Sequence, residues 1–143
     1  MELAADCIRR ALPALEECDV TLAVEPLGPV EGNFLNTADL GLQLCELVGS
    51  PHCRLHLDVK AMSTESKPIP QIIRESQHDF AYFHANDKNL KGPGFGEVDF
   101  KPIASALKEA GYKGYVSVEV FSFDEGPEII ATKSLEYLKK TFG

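Results

Sequence analysis

The sequence predicts an α/β protein with a parallel sheet, built as one helix followed by four strand–helix units. Short apolar runs alternate with longer segments whose apolar residues recur at helical spacing, which is typical of parallel sheets with right-handed crossovers. Every predicted strand also ends in one ionisable residue. The repeat of about 30 residues is close to that of a (β/α)8 barrel, in which about 250 residues form eight units. The predicted fold is therefore a partial (β/α)8 barrel, with residues 1–143 as one domain.

The chain begins with a predicted helix and a predicted strand. Apolar residues recur every three to four positions over Glu2–Glu17, and Pro13 is expected to kink this helix or to start a second short turn. The strand Val20–Val24 follows and ends at Glu25. A loop rich in glycine and proline comes next, so the strand delivers its terminal carboxylate into a loop.

The next helix is predicted to end near Val48 and to begin at a capping residue, either Asn36 or Thr37. A Gly-Ser-Pro sequence stops this helix. The second strand, Arg54–Leu57, follows and ends at Asp58. This unit therefore repeats the arrangement of the first, with a carboxylate at the strand end.

The third unit contains the most polar strand end. A short helix over about Ile69–Glu75 precedes the strand Phe80–Phe83, which ends at His84. The glycine-rich sequence GPGFG follows, and we interpret it as a tight turn rather than as a phosphate-binding loop. Asp99 is the predicted N-cap of the helix Phe100–Gly111.

The fourth unit consists of the strand Tyr115–Val118, which ends at Glu119, and a last helix over about Glu128–Thr141. No linker and no low-complexity segment interrupts the series. The order is thus one helix and then four strand–helix units within one domain.

The composition argues against nucleic-acid and membrane partners. The 143 residues are 44% hydrophobic and 25% charged with a formal net charge of −8, which is typical of a soluble globular domain. Nucleic-acid binding requires clustered Lys and Arg, which this sequence lacks. No apolar run approaches the roughly 20 residues that a membrane span needs. The first ten residues contain no apolar signal-peptide core.

The four cysteines, Cys7, Cys18, Cys45 and Cys53, contain no CxxC pair and have apolar neighbours in the sequence. Such cysteines are most often free thiols in a protein interior. We therefore expect buried, reduced cysteines in a reducing cytosol, and hence a cytoplasmic protein.

Four ionisable residues end the four strands: Glu25, Asp58, His84 and Glu119. The carboxyl ends of parallel strands lie on one side of the sheet, where ligands bind, so we expect these side chains to converge. Any one of them alone is more often a helix cap, a salt-bridge partner or a structural histidine. Their occurrence at four successive strand ends favours a joint site.

Three carboxylates and one imidazole in a shared pocket would repel one another unless a divalent cation binds between them. Oxygen ligands with one nitrogen suit Mn²⁺, Mg²⁺ or Co²⁺ better than a structural zinc ion, and zinc is the less favoured alternative. Such a cation can polarise a carbonyl and stabilise an enediolate while a carboxylate moves a proton. We interpret the other three histidines, His52, His56 and His78, as structural, with His56 one layer below the site.

Four motifs carry a resemblance that runs from about Val20 to the end of the chain. They are LAVEPLGPVEGNFLNT, LHLDVKAM, YFHANDKN with GPGFGEVDF, and VSVEVF. These motifs resemble, in the same order, the sugar phosphate isomerase/epimerase group of the xylose isomerase-like TIM barrels. That group includes enzymes similar to D-tagatose 3-epimerase and hydroxypyruvate isomerase and, more distantly, endonuclease IV of AP endonuclease family 2.

The resemblance implies roles for the strand-end residues. Glu25, Asp58, His84 and Glu119 match the metal ligands of the group, and Glu25 and Glu119 match its two proton-transferring carboxylates on opposite faces of a bound ketose. Returning the proton to the opposite face gives epimerisation, and delivering it to the neighbouring carbon gives aldose–ketose isomerisation. Glu31 matches a substrate-binding glutamate of the epimerases.

Two positions depart from the pattern of the epimerases. Ala61 stands where they have a substrate-contacting histidine, and Leu90 stands where they have an arginine. Lys60, Asn86 and Lys88 are candidates to replace these contacts with a small sugar or sugar phosphate. The departures therefore affect the expected substrate more than the expected metal.

The resemblance covers only the last four of the eight strand–helix units of a barrel. A half-barrel exposes two sheet edges and an open interior, which favours pairing with another chain. Three explanations remain open, namely a truncated product, a homodimer that completes the barrel, or a separately encoded partner half. Of these we favour truncation.

The leading hypothesis is a metal-dependent isomerase or epimerase of a small sugar, or the catalytic half of one. The alternative is a non-catalytic half-barrel that binds metal without turnover. A nuclease of the endonuclease IV type is less favoured, because the net charge is −8 and only one histidine ends a strand.

Overall fold

The computed structural model describes all 143 residues and has the predicted α/β fold with four parallel strands. None of its six helices is both long enough and apolar enough to cross a membrane. The elements in chain order are α1 (Glu2–Glu17), β1 (Leu22–Val24), α2 (Ala38–Val48), β2 (Cys53–Asp58), α3 (Val59–Met62), α4 (Ile69–Glu75), β3 (Phe80–Ala85), α5 (Phe100–Glu109), β4 (Val116–Val118) and α6 (Pro127–Phe142).

The four strands form one sheet in the order β1-β2-β3-β4, and every neighbouring pair is parallel. In the register, Val24 lies opposite Leu55, Asp58 opposite His84, and His84 opposite Ser117. The strands therefore end at a common edge of the sheet. The two outer strands, β1 and β4, have a neighbour on one side only.

One face of the sheet packs against the helices. The largest hydrophobic cluster contains 15 buried residues, including Leu55 and Phe83 from the central strands and Ile73 and Ile103 from α4 and α5. A smaller cluster of five buried residues lies mainly between α1 and α2. Burying this apolar surface is the main stabilising contribution to the fold.

The opposite face of the sheet is polar, as strand alternation predicts. The rings of His56 and Tyr82 meet edge to face with centroids 5.2 Å apart. Tyr82 and Ser117 share a hydrogen bond of 2.7 Å between their hydroxyl groups. This layer lies directly below the strand-terminal residues and supports them from inside the barrel.

Three predicted helix ends are confirmed. Oγ1 of Thr37 accepts a hydrogen bond of 3.2 Å from the Leu40 nitrogen, so Thr37 rather than Asn36 caps α2. Gly49 closes the same helix with a φ of 73°, a left-handed conformation that glycine adopts readily. Asp99 caps α5 by accepting a hydrogen bond of 3.0 Å from the nitrogen two residues on.

Three details differ from the sequence-based expectations. Pro13 lies inside one continuous helix rather than starting a second turn. Strand β3 continues through His84 to Ala85, so the histidine lies inside the strand and not just beyond it. The four-residue helix α3 was not predicted, because a single turn shows no periodicity and depends on the Asp58 cap.

The prediction that all cysteines are buried is wrong for two of them. Cys7 and Cys18 are exposed, because α1 packs only one narrow face, around Ala5, against the rest of the chain. Cys53 is buried and Cys45 is half-buried, and burial raises the pKa of the Cys45 thiol to about 12. All four are free thiols.

Candidate metal centre

The four strand-terminal residues meet at one point. The Nδ1 atom of His84 lies 3.5 Å from Oε1 of Glu25, 3.8 Å from Oδ2 of Asp58 and 3.5 Å from Oε2 of Glu119. One ligand atom from each of the four residues lies within 4.8 Å of the corresponding atom of every other. The predicted convergence of these side chains is therefore present in the structure.

The donor set fits a divalent cation. Separations of 3.5 to 3.8 Å around the imidazole nitrogen match neighbouring ligands of an ion bound at about 2.1 Å from each. Nδ1 of His84 is buried and has no hydrogen-bond partner. A buried nitrogen facing three carboxylates needs a proton or a cation to compensate it. Three oxygens and one nitrogen are a set that suits Mn²⁺, Mg²⁺ or Co²⁺.

Asp58 is the most firmly held of the four. Its side chain is 1% exposed, and its Oδ1 accepts a hydrogen bond of 2.7 Å from the Ala61 nitrogen as the cap of α3. Its Oδ2 faces the centre and accepts a bond of 2.6 Å from Nδ2 of Asn86. Burial raises the pKa of the Asp58 carboxyl, and these two hydrogen bonds oppose the shift. The Asp58 carboxylate therefore lies at the end of β2 and also caps the start of α3.

Asn86 links three parts of the site. It is fully buried, and its Nδ2 donates to Asp58 and also lies 3.4 Å from Oε2 of Glu119. Its Oδ1 accepts a hydrogen bond of 2.7 Å from the Lys60 nitrogen in the first turn of α3. Asn86, which was predicted to bind substrate, is held in the structure by Lys60, Asp58 and Glu119.

The two glutamates follow the outer strands and are more open than Asp58. The side chain of Glu25 is 27% exposed and that of Glu119 is 33% exposed. Burial raises the pKa of Glu119, and the charge of Glu25 adds to this shift. Burial also acts to raise the pKa of Glu25, but its contact with His84 and the charge of His56 outweigh it, so the net shift is downward. The two carboxylates are therefore shifted in opposite directions.

His56 lies one layer below the centre, as predicted, but it also contacts the site. Its ring meets the His84 ring edge to face with centroids 4.1 Å apart, and its Nδ1 lies 3.8 Å from Oε2 of Glu25. Burial lowers the pKa of His56 to about 4, which favours the neutral ring. In contrast, contact with Glu25 raises the pKa of His84. The position of His56 two residues before Asp58 was the sequence signal for this contact.

Two of the predicted substrate-binding residues form an ion pair. Nζ of Lys60 lies 2.6 Å from Oε1 of Glu31, and the same ammonium stands 4.0 Å from the centroid of the Phe121 ring. The charge of Lys60 also lowers the pKa values of Glu25 and Glu119. Lys60 and Glu31 therefore lie beside the carboxylate cluster. Phe121 lies in the loop after β4 and ends the VSVEVF motif, but it was not predicted as a site residue.

The second of the two predicted lysines, Lys88, lies elsewhere. Lys88 is exposed and lines a shallow cavity with residues of α4 and the start of α5, including Pro70 and Asp99. None of its recorded contacts reaches the carboxylate cluster.

The two positions that depart from the epimerase pattern differ in their surroundings. Ala61 is buried in α3, whereas Leu90 is exposed and its backbone oxygen accepts hydrogen bonds from the loop after β4.

The glycine-rich loop after β3 packs against a buried carboxylate. Asp87 is 2% exposed, and its Oδ2 accepts a hydrogen bond of 2.9 Å from the Val98 nitrogen. A Cβ atom at Gly96 would overlap with this carboxylate, and Gly94 has a φ of 89°. These contacts and the left-handed backbone support the interpretation of the loop as a tight turn.

The family model described as "Xylose isomerase-like TIM barrel" matches residues 1–141 of the chain. Two curated proteins illustrate the similarity. The D-psicose 3-epimerase of Enterocloster bolteae is 30% identical over 119 residues, which is 83% of this chain and 40% of that protein. The L-ribulose 3-epimerase of Mesorhizobium japonicum is 35% identical over 115 residues, which is 80% of this chain and 39% of that protein.

Solved structures show the same partial correspondence. A crystal structure of D-psicose 3-epimerase in the presence of D-fructose superposes with a TM-score of 0.90 at 23% identity, covering 97% of this chain and 55% of the other. A structure of L-ribulose 3-epimerase gives a TM-score of 0.78 at 31% identity, covering 92% and 44%. The chain thus spans about half the length of the proteins that it matches.

Proposed function

Because the chain belongs to the xylose isomerase-like TIM barrel family, we propose that it is the catalytic half of a metal-dependent sugar isomerase or epimerase. The observation that carries this proposal is the convergence of three carboxylates and one imidazole at the strand ends. The names of the curated relatives, which are 3-epimerases of ketoses, support the reaction class. The substrate class is a small ketose or a related carbonyl compound.

Glu25, Asp58, His84 and Glu119 would hold the metal, most favourably Mn²⁺, Mg²⁺ or Co²⁺. When bound, a divalent ion supplies a Lewis acid for a carbonyl oxygen. Asp58 serves mainly as an anchor, because both its oxygens are already held by hydrogen bonds within the chain. His84 contributes the only nitrogen and lies between the two glutamates.

Glu25 and Glu119 move the proton. Glu25 follows one outer strand and Glu119 the other, so the two carboxylates approach the centre from opposite sides. In one direction Glu25 accepts the proton from the carbon next to the carbonyl, and Glu119 donates its own proton to the opposite face of that carbon. The roles reverse in the other direction. The opposite pKa shifts of the two groups suit an acid and a base that act together.

The pair formed by Glu31 and Lys60 makes one wall of the substrate site. Their charges compensate each other across 2.6 Å, so the wall presents hydrogen-bonding groups rather than a free cation. Hydroxyl groups of a sugar are suitable partners for such a pair. Lys88, in the exposed part of the loop after β3, is a further proposed substrate contact.

A further half-barrel completes the working enzyme. Strands β1 and β4 each lack a neighbour on one side, and Leu22 and Val118 on them are 36% and 37% exposed. Unpaired parallel strands favour pairing with additional strands. Four more strand–helix units, from a longer form of this chain, from a second copy or from another chain, would cover both edges and supply the other wall of the site.

Exchange of substrate hydrogen with solvent tests the proposal. The metal-loaded protein, in its full-length or assembled form, is incubated in D₂O with D-psicose, D-fructose or L-ribulose, and deuterium at the carbon next to the carbonyl is followed by NMR. Because general acid–base groups contribute about 10²- to 10⁴-fold, Glu25→Gln and Glu119→Gln should each slow exchange by that factor. Glu136→Gln on the exposed face of α6 is the matched control and should exchange normally.

Unchanged exchange in Glu119→Gln would contradict the assigned role of that carboxylate. Metal binding without any exchange by the wild-type chain would favour the alternative of a non-catalytic binding module. The histidine and arginine positions of the epimerases, occupied here by Ala61 and Leu90, are the observation behind that alternative.

A further inference from the structure

One buried amide controls the geometry of the two carboxylates that stand on either side of His84. We propose that Asn86 is a positioning residue that raises metal affinity by fixing the metal-facing oxygens of Asp58 and Glu119, and that it does not contact substrate. This inference rests on the proposed function and assigns a residue that the comparison with epimerases leaves without a role.

The donated hydrogen bonds of Asn86 end on the oxygens that face the centre. Its Nδ2 lies 2.6 Å from Oδ2 of Asp58 and 3.4 Å from Oε2 of Glu119. The same two oxygens lie 3.8 Å and 3.5 Å from Nδ1 of His84. One amide group therefore spans the two carboxylates at the atoms that would bind the ion.

The amide is itself held rigidly. Oδ1 of Asn86 accepts a hydrogen bond of 2.7 Å from the Lys60 nitrogen, and Oδ1 of Asp58 accepts one of 2.7 Å from the Ala61 nitrogen. Both donors are in the first turn of α3. The start of α3 thus orients Asn86 and Asp58 together, and the orientation reaches Glu119 through the amide.

Substrate contact is not available to this side chain. Asn86 is 0% exposed, and both ends of its amide are engaged with the chain. A sugar hydroxyl could reach it only by displacing one of these partners, which would leave a buried polar group unpaired. This differs from Lys60, whose ammonium lies at the edge of the site.

The expected physical effect of the Asn86 amide is to hold the two carboxylates in position before the ion binds. Two carboxylates facing one point repel each other, and a shared amide donor compensates part of that charge without occupying the position of the ion. Ligands already in place lose less conformational freedom when the ion binds. Groups that orient metal ligands in this way typically contribute about 10- to 100-fold in metal affinity.

The test compares Asn86→Ala with Asn89→Ala in the full chain. Asn89 is the matched control, because its amide also donates and accepts hydrogen bonds, but in an exposed loop. It donates to the oxygen of Phe95 and accepts from the nitrogen of Lys91. Titration with Mn²⁺, followed by EPR of the free ion, should show a dissociation constant about 10- to 100-fold higher for Asn86→Ala. Asn89→Ala should bind as the wild type does.

A second measurement separates positioning from loss of folding. Asn86→Asp keeps an oxygen for the Lys60 nitrogen but replaces the amide donor by a carboxylate oxygen, so it removes the bonds to Asp58 and Glu119 and adds a negative charge beside them. The visible absorption spectrum of the Co²⁺-loaded protein reports ligand geometry directly. It should change in Asn86→Asp while the far-UV circular dichroism stays that of the wild type.

Equal Mn²⁺ dissociation constants for wild type and Asn86→Ala, or an unchanged Co²⁺ spectrum in Asn86→Asp, would overturn the inference and leave the proposed function standing. A wild-type chain that binds neither ion would overturn both. Weaker binding in Asn86→Ala together with an altered spectrum in Asn86→Asp supports the assignment.

Discussion

The side chains at the ends of the two central strands are more buried than those that follow the two outer strands. Strands β2 and β3 have six residues each and a neighbour on both sides, whereas β1 and β4 have three residues each and one neighbour. Asp58 and His84, which belong to the central strands, have side chains 1% and 19% exposed. Glu25 and Glu119, after the outer strands, are 27% and 33% exposed.

This difference separates anchoring from proton transfer. A residue on a strand with two neighbours is held by backbone hydrogen bonds on both sides, which suits a ligand whose position must not change. A residue after a short outer strand keeps more freedom and more access to solvent. In the proposed reaction the anchoring ligands are the central pair and the proton carriers are the outer pair.

The loops that follow the strands show the same contrast. After central β3, Asp87 is buried against Gly96 and holds the Val98 nitrogen. After outer β1, a Cβ atom added at Gly32 would have no neighbour within 4 Å. The loop beside the anchors is thus tightly packed at Gly96, and the loop after β1 has open space at Gly32.

Of the changes proposed, blocking the open edge of β4 should have the largest effect, because it prevents pairing with further strands. The Glu119 nitrogen donates to the Ala85 oxygen of β3, and amide direction alternates along a strand, so the N–H of Val116 points to the open edge. Val116→Pro should therefore leave the half-barrel folded but abolish pairing with further strands. If a second copy completes the barrel, sedimentation velocity should show a species of barrel size for wild type and only the single chain for the variant.

Val116→Ala is the control for this experiment, because it loses the same packing but keeps the N–H. Assembly of Val116→Pro like that of wild type would show that β4 does not pair with another strand. A wild-type chain that never exceeds the mass of one copy would exclude a homodimer and direct the search to a separate partner half.

Removing an anchor should cost more stability than removing a proton carrier. Asp58→Ala leaves the Ala61 nitrogen and the Asn86 amide without partners in a buried place, which we expect to lower the free energy of unfolding by about 2 kcal/mol. Glu119→Ala should lower it by less than about 0.5 kcal/mol, as surface changes usually do. Urea denaturation of the metal-free chain measures both.

Both variants should bind Mn²⁺ less tightly, since each loses a proposed ligand. Equal losses of stability would contradict the distinction between central and outer strand ends, because they would mean that Asp58 is no better integrated than Glu119.

The smallest expected effect is on stability, from substitutions in the loop after β3 and the loop after β1. Gly96→Ala places a methyl group against the Asp87 carboxylate, and we expect this overpacking to destabilise the chain by about 1 kcal/mol. Gly32→Ala meets open space and is the matched control, with a thermal midpoint at or slightly above that of wild type. A lower thermal midpoint in Gly32→Ala than in Gly96→Ala would contradict the conclusion that the chain is packed at Gly96 and open at Gly32.

Much of this arrangement follows from the order of residues along the chain. Parallel pairing and alternation place Glu25, Asp58, His84 and Glu119 on one face at one end of the sheet, so their convergence could be predicted from apolar runs that end in ionisable residues. The helix bounds were predictable for a related reason. Apolar spacing and capping residues such as Thr37 are local signals.

Contacts between distant segments could not be predicted in this way. Asn86 follows the predicted ligand His84 by two positions, yet its amide oxygen is held by the start of α3, which Asp58 caps. The pairing of Lys60 with Glu31 joins α3 to the loop after β1, 29 positions earlier. Local sequence contains no information on such distances, because they result from how the helices pack on the sheet.

The sequence by itself determined which four side chains the strands deliver and the order in which they come, since strand alternation and parallel topology leave little freedom. Only the tertiary structure decided which of them are buried anchors and which stay open. Burial depends on whether a strand has neighbours on both sides, and that is a property of the assembled sheet rather than of any one segment.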